Sequence, residues 1–386
     1  MDARLGFLFS FCLALLFACG GQGETATPSA TSQGAVTTEI AEEIAPLAPL
    51  VDNIVEPPGN PVSTVVGGRG STAGYVGLLG RLSLNEQVSD PVAPAPETFA
   101  DRHPLTGLPG IVRQRPAAVV KIDNGFGVTP QAGLEVADIV YEEPVEGGLT
   151  RLAAVFQSQG SLVGPIRSGR TTDIGIFNSF GQPLYLYSGA NVPTDSLLRS
   201  FENVSNRDYS TTSGYFREPS RNPPSNVYTS LFDQWATGDE PTPPAQFTYR
   251  LDSDSAVGSG VQTFEVNYAL NQVLWSWDGT QYLRTQRGAT HNDTEGNQLG
   301  FDNVIVVGTE VVNTGFVDST GTTVPEYPFV GSGPAAVYTN GTKISGTWTR
   351  SSLSAVATFT TVSGEVIELT PGRTWVHLVS KSSTAL

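Results

Sequence analysis

Cysteine is almost missing from this chain of 386 residues: Cys12 and Cys19 are the two, both near its start. Any disulfide within a domain beyond residue 19 is therefore excluded. Lysine is nearly as scarce, with Lys121, Lys343 and Lys381 alone, so arginine supplies most of the positive charge. Arginine is the cation suited to fixed, bidentate contacts with carboxylate or phosphate. With 37 acidic residues against 21 basic ones the formal net charge is −16. Phosphate contacts need clustered basic residues, so this balance argues against nucleic acid as a partner. The three histidines, His103, His291 and His377, include no pair at ligand spacing, and Asp252-Ser253-Asp254 lacks the twelve-residue calcium pattern. The expectation is no metal and no cofactor. After residue 19 no apolar run is long enough to cross a bilayer.

What is present at the start is an export signal. Arg4 gives a short basic end, 5–17 an apolar core, and Ala18 a small residue before Cys19. Leu16-Phe17-Ala18-Cys19 is similar to a lipobox, although Phe17 is bulkier than the residue usual there. The expectation is removal of 1–18, a diacylglycerol on Cys19, and a protein lipid-anchored at the extracytoplasmic face of the cell membrane. Secretion after cleavage at Ala18 is the alternative. Residues 19–103, rich in Thr, Ser, Pro, Gly, Ala and Glu, read as a largely disordered tether.

The folded region reads as α+β, with a mixed α/β domain over 104–245 followed by a β-rich domain over 246–386. In the first, 117–123 (AAVVKID), 139–141, 149–157 (LTRLAAVFQ) and 183–187 have the pattern of strands. Helices are expected over 131–139, with Thr129 as N-cap and Pro130 as first residue, and over 172–179 and 196–201. Residues 207–228 read as a long irregular loop. After the Pro-rich break at 241–244, short strands alternate with Asp278-Gly279 and Asn340-Gly341 turns, which predicts mainly antiparallel sheet, including a strand over 366–369.

Charged and flexible residues gather in three blocks: 141–151 (YEEPVEGGLTR), 164–170 (GPIRSGR) before a helix holding Asp173, and 217–229 (REPSRNPPSNVYT). Arginines ahead of a helix start can hold an anion. They can equally pair with Glu142, Glu143 or Glu146 in an internal network. The ordered set Pro104-Leu105-Thr106-Gly107, Ala137-Asp138-Ile139-Val140-Tyr141-Glu142, Val145-Glu146-Gly147-Gly148, Gly164-Pro165-Ile166-Arg167-Ser168, Asn226-Val227-Tyr228-Thr229, His291-Asn292-Asp293 and Gly372-Arg373-Thr374-Trp375 resembles the YerB-like bacterial lipoproteins. The resemblance covers most of 104–379. It implies a membrane-anchored envelope protein with a mixed N-terminal and a β-rich C-terminal domain, and no known reaction. In that family a histidine commonly precedes the asparagine matched by Asn226; here Ser225 stands there.

Two functions follow as expectations. The first is an envelope binder of wall glycan, anionic polymer or a protein partner. Arg151, Arg167, Arg170, Arg217 and Arg221, with Asn226, would hold anionic groups, and Tyr185, Tyr187, Tyr215 and Tyr228 would pack on sugar or peptide. The second is a hydrolase of wall glycan or phosphodiester bonds with Glu142 and Glu146 as acid and base, because adjacent Glu142 and Glu143 point to opposite faces of a strand. His291 is a further catalytic candidate.

Overall fold

Thr374–Ser380, near the end of the chain, lies parallel both to Asn303–Thr309 and to Ile139–Pro144. That double pairing joins the first and second halves into one sheet. In the computed structural model the described residues are 102–386, apart from 237–239, 251–255 and 319. The export signal, Cys19 and the tether as far as residue 101 lie outside them.

The sheet runs in the order Thr358–Thr361, Thr342–Arg350, Gly331–Thr339, Asn303–Thr309, Thr374–Ser380, Ile139–Pro144, Thr150–Phe156, Ala118–Asp123, Leu184–Tyr187 and Ser205–Asp208, with Ser259–Gly260 added beside Thr342–Arg350. Its middle strands are buried on both faces, which is why their sequences are nearly continuous apolar runs. Alternation sorts their side chains. Val120, Val140, Leu152, Val304 and Trp375 point to one face, where they meet Val273, Trp275, Tyr282 and Phe301 of the smaller five-stranded sheet. Val119, Tyr141, Val155, Ile305 and Leu378 point to the other, where Ile176 and Phe177 of the helix Thr172–Phe177 and Leu198 of Val192–Arg199 cover them. Asn191 caps the latter helix, its side chain accepting from Thr194 N.

The structure is mostly β, with few and short helices, and it departs from several expected elements; the helix expected over 196–201 runs Val192–Arg199. The helix expected over 131–139 is a single 3₁₀ turn, Leu134–Val136. Ala132 instead exchanges both backbone hydrogen bonds with Gly164, so its N–H and C=O are lost to a helix, and Gly133 turns away at φ +92°. Thr129 therefore caps nothing. The loop expected over 207–228 contains Tyr215–Arg217, paired antiparallel with Val227–Ser230, and begins inside the edge strand Ser205–Asp208. The second half is mainly antiparallel as expected, with Asn303–Thr309 paired in parallel to Thr374–Ser380. Residues 366–369 make only isolated bridges at Val366 and Leu369.

Candidate functional site

Glu142 stands opposite His377 across the parallel pair and has no exposed surface. Its Oε1 accepts from Thr150 Oγ1 at 2.8 Å and Asn271 Nδ2 at 2.7 Å, and its Oε2 from Arg284 Nη2 at 2.8 Å and Trp375 Nε1 at 3.2 Å. Burial alone would raise this carboxyl, but Arg284, His377 and these hydrogen bonds outweigh it and hold it below the ordinary range. Trp275 Nε1 donates to His377 Nε2 at 2.9 Å, which leaves the ring proton on Nδ1, beside Tyr268 Oη at 2.8 Å and Glu142 Oε2 at 3.4 Å. Burial lowers His377 to about 3, so the ring is neutral and Arg284 is the cation that balances Glu142. His291 sits on the far side of Arg284, its Nδ1 accepting from Arg284 Nη1 and its Nε2 donating to Gln131 Oε1 at 2.7 Å. Burial, and then the positive charge of Arg284 and Arg287, keeps it neutral too. Glu142 and His291 thus belong to one sealed network that spans the two halves.

On the opposite face Glu143 meets Lys121 Nζ, which also donates to Asp173 Oδ1 at 2.8 Å, and Tyr185 Oη donates to Asp173 Oδ2 at 2.6 Å. None of these four side chains is exposed. Two carboxylates share one ammonium. Burial, then repulsion from Asp173, raises Glu143 to about 7 against the pull of Lys121. Asp173 also accepts from the amide of Arg170, two residues ahead of its helix.

The accessible polar ground lies at the carboxyl ends of Ala118–Asp123 and its parallel neighbour Leu184–Tyr187, where open α/β sheets bind ligands. Glu146, in the turn after Ile139–Pro144, is clasped by Arg170 through Nε at 2.8 Å and through Nη2, with Arg151 Nη2 at 3.9 Å. Arg151 faces Asp123 in the strand register and donates to Ser168 O at 2.9 Å. Arg167 Nε donates to Asp123 Oδ2 at 3.0 Å, and Ser225 Oγ donates to the same oxygen at 2.6 Å. Burial alone would raise Asp123; the Ser225 hydroxyl, then Arg167 and Arg151, bring it below its ordinary value. Burial lowers Arg151 to about 9, helped by the charges of Arg170 and Arg167. The arginines therefore crowd one another. Arg167, with 26% of its side chain exposed, is the most open, and among the described residues its two terminal amino groups make no hydrogen bond.

Of the remaining expected ligand residues, Arg221 spends its guanidinium on Val128 O and Pro130 O, both at 2.6 Å, tying two loops together. Asn226 is buried and accepts from Arg217 Nη1 at 2.5 Å while donating to Arg221 O. Tyr185, Tyr187 and Tyr228 do not offer faces to a ligand: all three are core side chains, with Tyr185 stacked on Tyr187 and Tyr228 on Phe216. Tyr215 is half-buried and donates to Arg207 O. Glu142 and Glu146 share no partner among the described residues. A carboxyl with no exposed surface has no route to a leaving group outside the core.

Two family models match in sequence, the N-terminal domain of the family of unknown function DUF3048 over 105–242 and its C-terminal domain over 264–376. The chain belongs to this family. It is 28% identical over 300 residues, 72% of this chain and 85% of the relative, to a Bacillus subtilis (strain 168) protein whose name is "Putative lipoprotein YerB". The crystal structure of YerB from Bacillus subtilis matches with a TM-score of 0.62 at 24% identity, over 72% of this chain and 96% of that one. That likeness is one of fold.

In this DUF3048 protein, sequence reasoning passed over Asp123, Lys121 and Arg284. The first two had a signal: they are the charged residues of AAVVKID, an otherwise apolar run. A charge within such a strand must be paired or at the strand end. Arg284 carried none, since its partner lies 142 positions away.

Proposed function

We propose that this protein is a lipoprotein anchored at the extracytoplasmic face of the cell membrane through Cys19, which binds an anionic ligand of the envelope at the Arg151, Arg167 and Arg170 cluster. The lipobox-like start and the lipoprotein name of the Bacillus relative support the anchoring. One observation carries the binding: of three guanidinium groups gathered at one end of the sheet, the most open, Arg167, keeps two amino groups with no hydrogen-bond partner among the described residues. A part-exposed guanidinium with two free donor groups favours an anion over a neutral small ligand.

The test is retention of the full chain on purified anionic wall polymer and on wall glycan, with Arg167→Ala alongside. Loss of about tenfold in affinity by a variant that still melts cooperatively as a folded protein is the expected result. Equal retention of both proteins, or none of either, would remove the reading. Replacing Cys19 by Ser should release the protein from the membrane fraction and abolish incorporation of labelled fatty acid.

A further inference from the structure

Beside Arg167 lies a depression of about 620 Å³ between two loops, 126–129 and 220–225. Its lining includes Phe126, Thr129, Ser220, Asn222 and Ser225, a mixture of one aromatic ring with hydroxyl and amide groups. The ring is 64% exposed. The Arg287 guanidinium sits 4.7 Å from its centre, and the same side chain donates to Gly125 O at 3.0 Å, so the second half of the chain fixes the loop that carries the ring. Arg221, donating to Val128 O and Pro130 O, ties the other loop to the first. The walls are thereby set before any ligand arrives.

Ser225 connects this depression to the arginine cluster. Its hydroxyl and Arg167 Nε both donate to Asp123 Oδ2, which puts the open guanidinium next to the lining. Resting on the anion-binding reading above, we infer that the ligand is a glycan whose pyranose ring carries an anionic substituent: the ring packs on Phe126 among the hydroxyl and amide groups, and the anion meets Arg167. A pyranose offers an apolar C–H face and a rim of hydroxyls. A single exposed aromatic flanked by short polar side chains matches both. A lipid tail would bury those polar groups against hydrocarbon with nothing to gain from them, and a bare anion would not use the ring.

The experiment is titration calorimetry of the full chain with four probes: N-acetylglucosaminyl-N-acetylmuramic acid, N-acetylglucosamine 1-phosphate, neutral chitobiose and inorganic phosphate. At least one of the first two should bind about tenfold more tightly than both of the last two, and which one binds distinguishes a carboxylate-bearing wall glycan from a sugar phosphate. Phe126→Ala, a surface change that should leave the melting temperature unchanged, should reduce that affinity to the level of inorganic phosphate. Chitobiose binding as well as the charged sugars, affinity indifferent to Phe126→Ala, or no binding by any probe would each overturn the inference. If anionic wall polymer is still retained in an Arg167-dependent manner in those cases, the glycan assignment alone falls and the anion site stands.

Discussion

Glu142 and Arg284, one from each half of the chain, meet at 2.8 Å with neither side chain exposed. Removing one partner of such a pair strands the other charge in the core. Arg284→Ala should therefore cost about 3 to 5 kcal/mol of stability, whereas Glu142→Met combined with Arg284→Met should recover a large part of that loss. Urea denaturation of the two variants checks this. A single variant within experimental error of the wild type would show that the pair does not hold the halves together.

The two neutral histidines behind that pair make stability depend on pH. His377 and His291 are held below their unfolded value of about 6.5, so in acid the unfolded chain binds protons that the native one refuses. Their contribution is complete above pH ~6.5 and is lost as the pH falls below it, down to about 3 for His377. Glutamine at 291 can still accept from Arg284 and donate to Gln131 without titrating. His291→Gln should accordingly flatten the fall in stability between pH 7 and 5 by up to about 1.4 kcal/mol per pH unit. Denaturation at a series of pH values gives the slope directly, and an unaltered slope would place the proton uptake elsewhere.

The sheet was more legible in the sequence than the site. Apolar runs such as 117–123 and 303–307 announced buried strands, because burial on both faces leaves a continuous signal over a few residues. The pairing of Ile139–Pro144 with Thr374–Ser380 had no such signal, since a strand pattern does not say which distant strand it joins. The same limit governed function. Residues 141–151 and 164–170 were recognisable as charged blocks, yet whether Arg170 met Glu146 or a ligand depended on a turn geometry set by Gly147 at φ +73° and Gly148 at φ +75°. The expected helix after Pro130 failed for a related reason: the distant Gly164 claims the backbone of Ala132.

Lys121 serves two carboxylates at once, so its loss should be far worse than the loss of either charge it balances. Lys121→Met leaves Glu143 and Asp173 buried together and should cost about 3 to 5 kcal/mol. Glu143→Gln should cost much less, because Glu143 Oε2 has no hydrogen-bond partner and a glutamine oxygen can keep the contact with Lys121. It should also change the dependence of stability on pH below neutrality. Glu143 is raised to about 7, so its contribution is full below its unfolded value and fades as the pH rises through 7. From about pH 4.5 to 7 the glutamine variant should lose less stability than the wild type; a parallel decline in both over that range would assign the loss to another group.

The shared sheet makes a last, stricter demand. Cut between the halves, residues 104–245 would present Ile139–Pro144 as an open edge, although its first five residues are buried in the intact protein. An apolar strand without its neighbour is a template for pairing with other chains. It would also carry Glu142 without Arg284, Trp375 or His377, a buried carboxylate deprived of its cation and two of its ring N–H neighbours. Expressed alone, this half should aggregate or be largely unfolded, and co-expression with 246–386 should return a soluble complex. The intact protein should correspondingly unfold in one transition, with near-ultraviolet circular dichroism of the tryptophans and far-ultraviolet signal of the sheet changing together. A soluble monomeric fragment with its own sharp melting transition would mean that the strand Thr374–Ser380 docks onto a domain already complete without it.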